Sequence, residues 1–439
     1  MGLFFGTDGI RGVACEEITN ELAFKVGASL SSIKENAKIL IGRDTRVSGQ
    51  FLTFAFCEGA MSGGADVIDV GIAPTPAVAY LTQSMGYDYG VVISASHNPK
   101  EYNGIKVFDG KGHKLSDKEE ERVERCFIKT RTRPYYKLGK YESKKNCVKR
   151  YEDFVLSYGV DLDGAKIVLD ASNGALYSIA PTVFKKLNAK VMAIASKNNG
   201  MKINDECGAL YPRKLAKAVV EQGALVGFAF DGDGDRVIGA TAKGRIIDGD
   251  VILYALAKEL KNKGKLKRNV VVGTSHTNMA IEKKLNEEGI GLIRADVGDK
   301  YVLAKLLEHG LTLGAEQSGH VILKDLTTTG DGILTAVVIS GLIKESIEKK
   351  CGDIFAVEPY PQTNINVTVN DKLRIMNNEE ICDQIRKEQN EMAEKGRITV
   401  RASGTENKIR IMVESENKDK NDEIAMRIEN AIKIKDTEI

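Results

Sequence analysis

Three carboxylates at i, i+2 and i+4 in Asp231-Gly-Asp-Gly-Asp235 share one face of an extended backbone, and the two glycines let the chain curl until all three converge. Hard oxygens gathered on one side suit Mg²⁺, which asks for octahedral geometry and keeps positions open for water or a phosphate oxygen. Seen alone, the stretch is equally well a solvated turn. It is not an EF-hand loop, because Arg236 occupies the glycine position and Ala242 the bidentate acid position.

Ser96 lies in Val91-Val-Ile-Ser-Ala-Ser-His-Asn-Pro99, directly after an apolar run and in a turn that Asn98 and Pro99 favour. A hydroxyl held this way can carry a phosphoryl group when a metal and a base are near. Without them it is a polar loop residue, and His97 a hydrogen-bonding prop. Glu316-Gln-Ser-Gly-His320 sets a carboxylate, a hydroxyl and an imidazole on one short loop, able to grip neighbouring sugar hydroxyls. Arg401-Ala-Ser-Gly-Thr405 combines a guanidinium, two hydroxyls and a glycine that lets an anion approach closely, the ingredients of a phosphate cradle. Neither a Walker A motif nor GxGxxG occurs, so nucleotide binding has little support.

The elements that must position these loops alternate short β-branched runs with helical patterns: Lys38–Ile41, Asp66–Val70, Gly90–Ile93, Lys166–Leu169, Leu225–Phe230 and Asn269–Val272. That alternation predicts an α/β fold. The loops Ser94–Pro99, Asp231–Arg236 and Gly314–His320 each follow an apolar run and precede another, a weak internal repetition. Open α/β sheets place their ligands at strand ends, so three similar domains facing one cleft would explain it. Glu119–Lys149 interrupts the pattern with acids, then basic and aromatic residues, and a boundary is expected near residue 150. From about Pro361 the character changes. Strands at Asn364–Val369, Ile398–Val400 and Lys408–Glu414, a charged helix at Glu379–Lys395 and a final helix predict a small α+β domain.

At 439 residues the chain has room for about three domains by a rule of roughly 150 residues each. Its 63 Lys and Arg against 61 Asp and Glu leave a formal charge of +2, which provides no global field for nucleic acid or an anionic membrane. Seven scattered cysteines without a CxxC argue against a disulfide framework or zinc knuckle and read as reduced thiols. The start lacks a basic segment followed by a long apolar one, and Ile333–Ile343 falls short of the roughly 18 to 20 apolar residues of a bilayer span. A cytoplasmic location is expected.

These four loops, in this order and spacing, resemble those of the α-D-phosphohexomutase superfamily, and Phe5-Gly-Thr-Asp-Gly-Ile-Arg-Gly12 makes a fifth match. Pro74–Tyr80, Glu316–His320 with its Gln317, and Thr328–Gly332 are similar to the amino-sugar branch. The resemblance runs from Phe5 to Glu414. It implies three similar α/β domains with mixed sheets (1–150, 151–248, 249–360) plus a C-terminal α+β domain (361–439) around a central cleft. The implied activity interconverts glucosamine 6-phosphate and glucosamine 1-phosphate through a phosphoserine and a sugar bisphosphate, a step towards the cell wall. Other hexose phosphates, or a non-catalytic sugar-phosphate-binding role, are the alternatives.

On this resemblance Ser96 is the phosphoserine, and with Asp231, Asp233 and Asp235 it holds one Mg²⁺ per chain. Glu316 and Ser318 would contact sugar hydroxyls, while Arg401, Ser403, Gly404 and Thr405 would hold the non-reacting phosphate, with His97 also in the substrate-binding set. Arg11, Lys106 and His320 would stand by the transferring group. A sugar 1,6-bisphosphate is the implied activator, a phosphosugar the implied partner, and a homodimer the suggested assembly. Tyr102 stands where the branch usually has an acid, Lys300 where Arg is common, and Asn407 where Pro is common; Ser275–Met279 also departs from the usual turn.

Overall fold

A computed structural model describes residues 4–6, 8–127, 133–134, 137–403 and 406–437, and of Glu394 the backbone alone. Strands β1 (Ile10–Val13), β2 (Lys38–Arg43), β3 (Asp66–Ile72), β4 (Tyr89–Ile93), β5 (Tyr102–Asp109) and β6 (Tyr141–Ser143) form one sheet in the order β1-β5-β4-β2-β3-β6. Its apolar runs are continuous because both faces are covered. Ile39, Ile41, Val91 and Ile93 meet Val26, Leu30 and Phe56 of the helices Asn20–Ile33 and Gly49–Ser62. Leu40, Val70 and Val92, at the alternate positions, are buried as well. The Glu119–Lys149 stretch is not merely a break: β6 within it pairs parallel with β3 at the sheet edge.

Strands β7 (Lys166–Asp170), β8 (Lys190–Ile194), β9 (Val226–Phe230), β10 (Val237–Thr241) and β11 (Ile246–Ile247) form a second sheet, ordered β11-β10-β9-β7-β8. A third, ordered β13-β12-β14-β15, contains β12 (Val270–Thr274), β13 (Gly291–Ala295), β14 (Leu313–Ala315) and β15 (Val321–Leu323). All three sheets are mixed, and each repeats one device. An interior strand, parallel to its neighbour, turns back as an antiparallel strand: β4 to β5, β9 to β10, β14 to β15. The connections are the three loops singled out above.

The last strands, β16 (Gln362–Thr368), β17 (Gly396–Ala402) and β18 (Lys408–Ser415), make an antiparallel sheet ordered β16-β18-β17. Helices Glu379–Met392 and Lys418–Thr437 cover it, with Ile381, Ile424 and Ile428 on Ile409, Ile411 and Val413.

The chain divides into two compact units. The larger holds the residues up to His276 with Ile290–Phe355, and therefore all three mixed sheets. The smaller joins Thr277–Gly289 to the chain from Ala356 onward. No helix among the described residues is long and apolar enough to cross a membrane.

Candidate active site

Within the larger unit the three strand-end loops converge. Ser96 leaves β4 with φ +52, a left-handed conformation unusual for a non-glycine residue, and its hydroxyl donates to Asp231 Oδ2 at 2.5 Å. Gly232 permits this approach, because a Cβ there would stand 2.5 Å from the Ser96 carbonyl oxygen. His97 Nδ1 lies 3.3 Å from the Ser96 hydroxyl. Burial, followed by Arg236 and Arg11, pushes His97 down to about 3, so its imidazole is neutral at ordinary pH.

Asp231, Asp233 and Asp235 are all buried, and one oxygen of each falls within 4.8 Å of the others. Their charges are managed unequally. Lys106, on β5 opposite Val92 of β4, donates to Asp233 Oδ2 (2.8 Å) and Asp235 Oδ2 (3.0 Å). Thr75 adds a 2.6 Å bond to Asp233 Oδ2. For Asp233, burial and the neighbouring Asp235 oppose ionisation, but Lys106 and Thr75 outweigh them and the carboxyl stays below its usual range. Asp235 is likewise held low, burial being outweighed by Lys106, His320, Arg236 and Lys114. Burial, then Asp235 and Asp233, drive Asp231 well above the carboxylate range.

The donor set fits a hard divalent cation. Asp233 Oδ1 and Asp235 Oδ1 are buried and accept no hydrogen bond, an arrangement that is unfavourable unless a cation takes those lone pairs.

Positive groups surround the acids. Arg11, on β1 opposite Gly104 of β5, pairs with Asp8. Lys106 Nζ is 3.3 Å from Asp8 Oδ1, and Lys114 bridges Asp8 and Asp299. His320 Nε2 lies 3.3 Å from Asp299 Oδ2. The third loop docks on the acidic one: Val237 N–H donates to Gly319 O at 2.9 Å, and a Cβ on Gly319 (φ +92) would meet Val237 O at 2.3 Å. On that loop Glu316 is buried and accepts the Gly298 N–H at 2.9 Å, while Ser318 is exposed. The larger unit thus gathers Ser96, His97, Asp231, Asp233, Asp235, Arg11, Lys106, Glu316, Ser318 and His320.

The phosphate-cradle residues belong to the smaller unit. Arg401 faces Arg410 across β17 and β18, and burial and then Arg410 lower its basicity. Ser403 is buried, its carbonyl accepting Lys372 Nζ at 2.7 Å. Gly404 and Thr405 lie outside the described residues.

Lys300 does not present a cation to this site, because it pairs with Asp117 and, at 3.3 Å, with Glu120. Asn278, in the divergent Ser275–Met279 turn, is a buried helix cap that accepts the Ala280 N–H at 3.0 Å. Sequence reasoning missed Asp8, Thr75, Lys114, Arg236 and Asp299. Asp8 and Thr75 stand inside the quoted Phe5–Gly12 and Pro74–Tyr80 matches, but Lys114 had no local signal.

Domain models of phosphoglucomutase/phosphomannomutase match along the chain: domain I at residues 2–134, II at 149–244, III at 248–360 and the C-terminal domain at 365–431. A phosphoglucosamine mutase of Clostridium kluyveri is 43% identical, the match covering 99% of this chain and all of that protein. The chain belongs to the phosphoglucomutase/phosphomannomutase family. One of Desulforamulus reducens is 45% identical over 94% of this chain and 95% of its own. In fold, the chain is similar to a Burkholderia thailandensis protein of this family (TM-score 0.78, 24% identity, 97% of each chain). It is also similar to the Aspergillus fumigatus N-acetylphosphoglucosamine mutase solved with GlcNAc-6P and magnesium (TM-score 0.67, 16% identity, 98% of this chain, 96% of that one). As a member of this family the protein is an enzyme, a phosphohexomutase of the isomerase class.

Proposed function

We propose that the protein interconverts glucosamine 6-phosphate and glucosamine 1-phosphate, with Ser96 as phosphoryl carrier. The observation that carries the reading is the 2.5 Å contact between the Ser96 hydroxyl and Asp231, inside a buried acidic trio ringed by Arg11, Lys106 and His320. The full-length likeness to relatives called phosphoglucosamine mutases supports the amino sugar.

Asp231, Asp233 and Asp235, with a phosphoryl oxygen on Ser96, would hold Mg²⁺, which when bound draws charge from the transferring group. Three carboxylates and a phosphoserine of about −2 exceed one divalent cation, so Arg11, Lys106, Lys114 and Arg236 supply the remaining neutralisation. In the first half-reaction the bond from phosphorus to Ser96 Oγ breaks and one from phosphorus to the sugar O1 forms. The O1 proton passes to His320, whose Nε2 lies 3.3 Å from Asp299 Oδ2 and whose Nδ1 makes no hydrogen bond. Ser96 Oγ takes a proton from water as it leaves, His320 gives the O1 proton back to water, and the restored hydroxyl donates to Asp231. The bisphosphate then presents its other end, and the O6 phosphoryl group returns to Ser96. Glu316 and Ser318 grip the sugar hydroxyls, and Arg401, Ser403, Gly404 and Thr405 hold the phosphate not being transferred. A sugar 1,6-bisphosphate loads the serine at the outset. Catalysis on this scheme is alignment plus charge stabilisation of a loose transition state.

A coupled assay offering glucosamine, glucose and mannose 6-phosphates side by side tests the sugar, and equal or better turnover of the latter two would overturn it. Intact mass tests the carrier. Incubation with the bisphosphate is expected to add one phosphoryl group to the protein and none to Ser96→Ala; addition to both would remove Ser96 from the scheme.

A further inference from the structure

The scheme above uses the Ser96 hydroxyl but not its carbonyl, and that carbonyl is held by residues to which no role has been given. Arg46, just beyond β2, is fully buried yet touches no acid of the trio. Its Nη2 donates to Ser96 O (2.9 Å) and Asn98 O (2.7 Å), and its Nη1 to Tyr102 O (2.8 Å) and Pro99 O. The fifth donor, Nε, is fixed on Asp44 Oδ2 at 2.9 Å. Asp44 also accepts the Ser94 hydroxyl at 2.5 Å, and Ser94 Oγ accepts the Ser96 N–H at 2.9 Å. One planar group therefore gathers four carbonyls of the loop, and its own counter-ion secures the loop's N–H side. From the second domain, Asn204 Nδ2 reaches the same two carbonyls, Ser96 O at 2.8 Å and Asn98 O at 3.0 Å.

We propose that Arg46, set by Asp44, and Asn204 are positioning residues for phosphoryl transfer, pinning the Ser96 and Asn98 carbonyls from two domains so that the serine hydroxyl stays over Asp231. The physical need is specific. A left-handed conformation is unfavourable for a non-glycine residue such as Ser96 and persists only where its surroundings over-determine it. Ser96 must also return to one place after each transfer, since small misplacements of reacting atoms slow reactions steeply. Only guanidinium has the flat, many-donor fork this grip requires; an ammonium keeps the charge but cannot span four carbonyls. The proposal rests on the reading of Ser96 as phosphoryl carrier.

The test compares Arg46→Lys and Asn204→Gly with the unmodified enzyme, glycine being chosen because Asn204 has φ +56. Arg46→Lys is expected to fold, to lose about 10²-fold in kcat with KM for the sugar phosphate little changed, and to show faster amide exchange across residues 95–103. Asn204→Gly is expected to change the same two readouts in the same direction by about tenfold, and it decides the matter alone if Arg46→Lys does not fold. A kcat within about threefold of the unmodified enzyme, or a fall in kcat with unchanged loop exchange, would overturn the positioning role. If the unmodified enzyme neither takes up phosphoryl on Ser96 nor turns over, the carrier reading fails. Exchange then judges the clamp separately: unchanged exchange in both variants removes it, and faster exchange keeps the grip on the loop.

Discussion

Asp231, Asp233 and Asp235 occupy one pocket of the structure yet do not share a charge state. Lys106 serves the second and third, while Asp231 has the Ser96 hydroxyl, the Arg236 N–H at 3.1 Å and the more distant Arg236 charge, which burial and the other two acids outweigh. A carboxyl whose folded pKa is raised binds its proton more tightly in the folded state. Its contribution to stability is therefore present at low pH and lost as pH rises. Metal-free protein should consequently weaken towards neutral pH, and magnesium should restore it by binding only the folded trio. At a hundred times the dissociation constant the gain is about 2.7 kcal/mol. Thermal unfolding with and without magnesium checks this: the Tm increment should grow from pH 5 to pH 8 and shrink in Asp233→Asn. An increment identical in that variant would place the metal elsewhere.

A second buried acid acts through an element. Asp331 caps the helix Gly332–Lys349 by accepting the Leu334 N–H at 3.0 Å, and it accepts the Tyr151 hydroxyl at 2.9 Å. Burial pushes its carboxyl up to about 7. The shift is upward, so the folded chain holds a proton that the unfolded chain releases near its ordinary value. The stabilisation is complete below about pH 4 and is lost as pH rises through 7, at about 1.4 kcal/mol per pH unit within the window. Asp331→Asn should flatten that decline in denaturant titrations between pH 4 and 8, and an unchanged slope would assign it to other groups such as Asp170, which burial raises to about 6. At this scale the sequence was readable where hydrophobic runs were uninterrupted. Each of the six β-branched runs coincides with a strand, from Lys38 in β2 to Val272 in β12, and the three runs expected after Pro361 fall on β16, β17 and β18. The run expected after Ser94–Pro99 is β5, but its bounds were hidden where Asn103-Gly104 breaks the apolar pattern although Lys106 sits there, and β1, whose four residues are too few for periodicity, was opaque. The site loops were legible because their chemistry is local. The clamp was not, because Arg46, Ser94 and Asn204 meet only through tertiary packing.

At the scale of the molecule, a net charge of +2 leaves recognition to local fields, and the fold concentrates those fields inside the larger unit and, in the smaller, where Arg401 of β17 faces Arg410 of β18. The smaller unit is discontinuous, which sequence order could not reveal: Thr277–Gly289, embedded in the third domain's chain, belongs with the C-terminal sheet. A buried carboxylate is central to the attachment, beside the bonds that Asn278 makes with the Tyr360 backbone and Arg397 with Thr277 O. Glu414 on β18 accepts the Met279 N–H at 2.8 Å, Asn278 Nδ2 at 3.0 Å and Gln362 Nε2 at 2.5 Å, with Arg397 Nη2 at 3.3 Å. Removing one member of such a network strands the others in a dry interior, at a cost of about 3–5 kcal/mol. Glu414→Ala should therefore lower stability by that order and speed amide exchange across residues 277–289 and β16, while β2, β4 and β9 exchange as before. If exchange rose equally in all of these strands, the two units would be a single cooperative body, and the attachment of the 277–289 segment through Glu414 would have no separate energetic meaning.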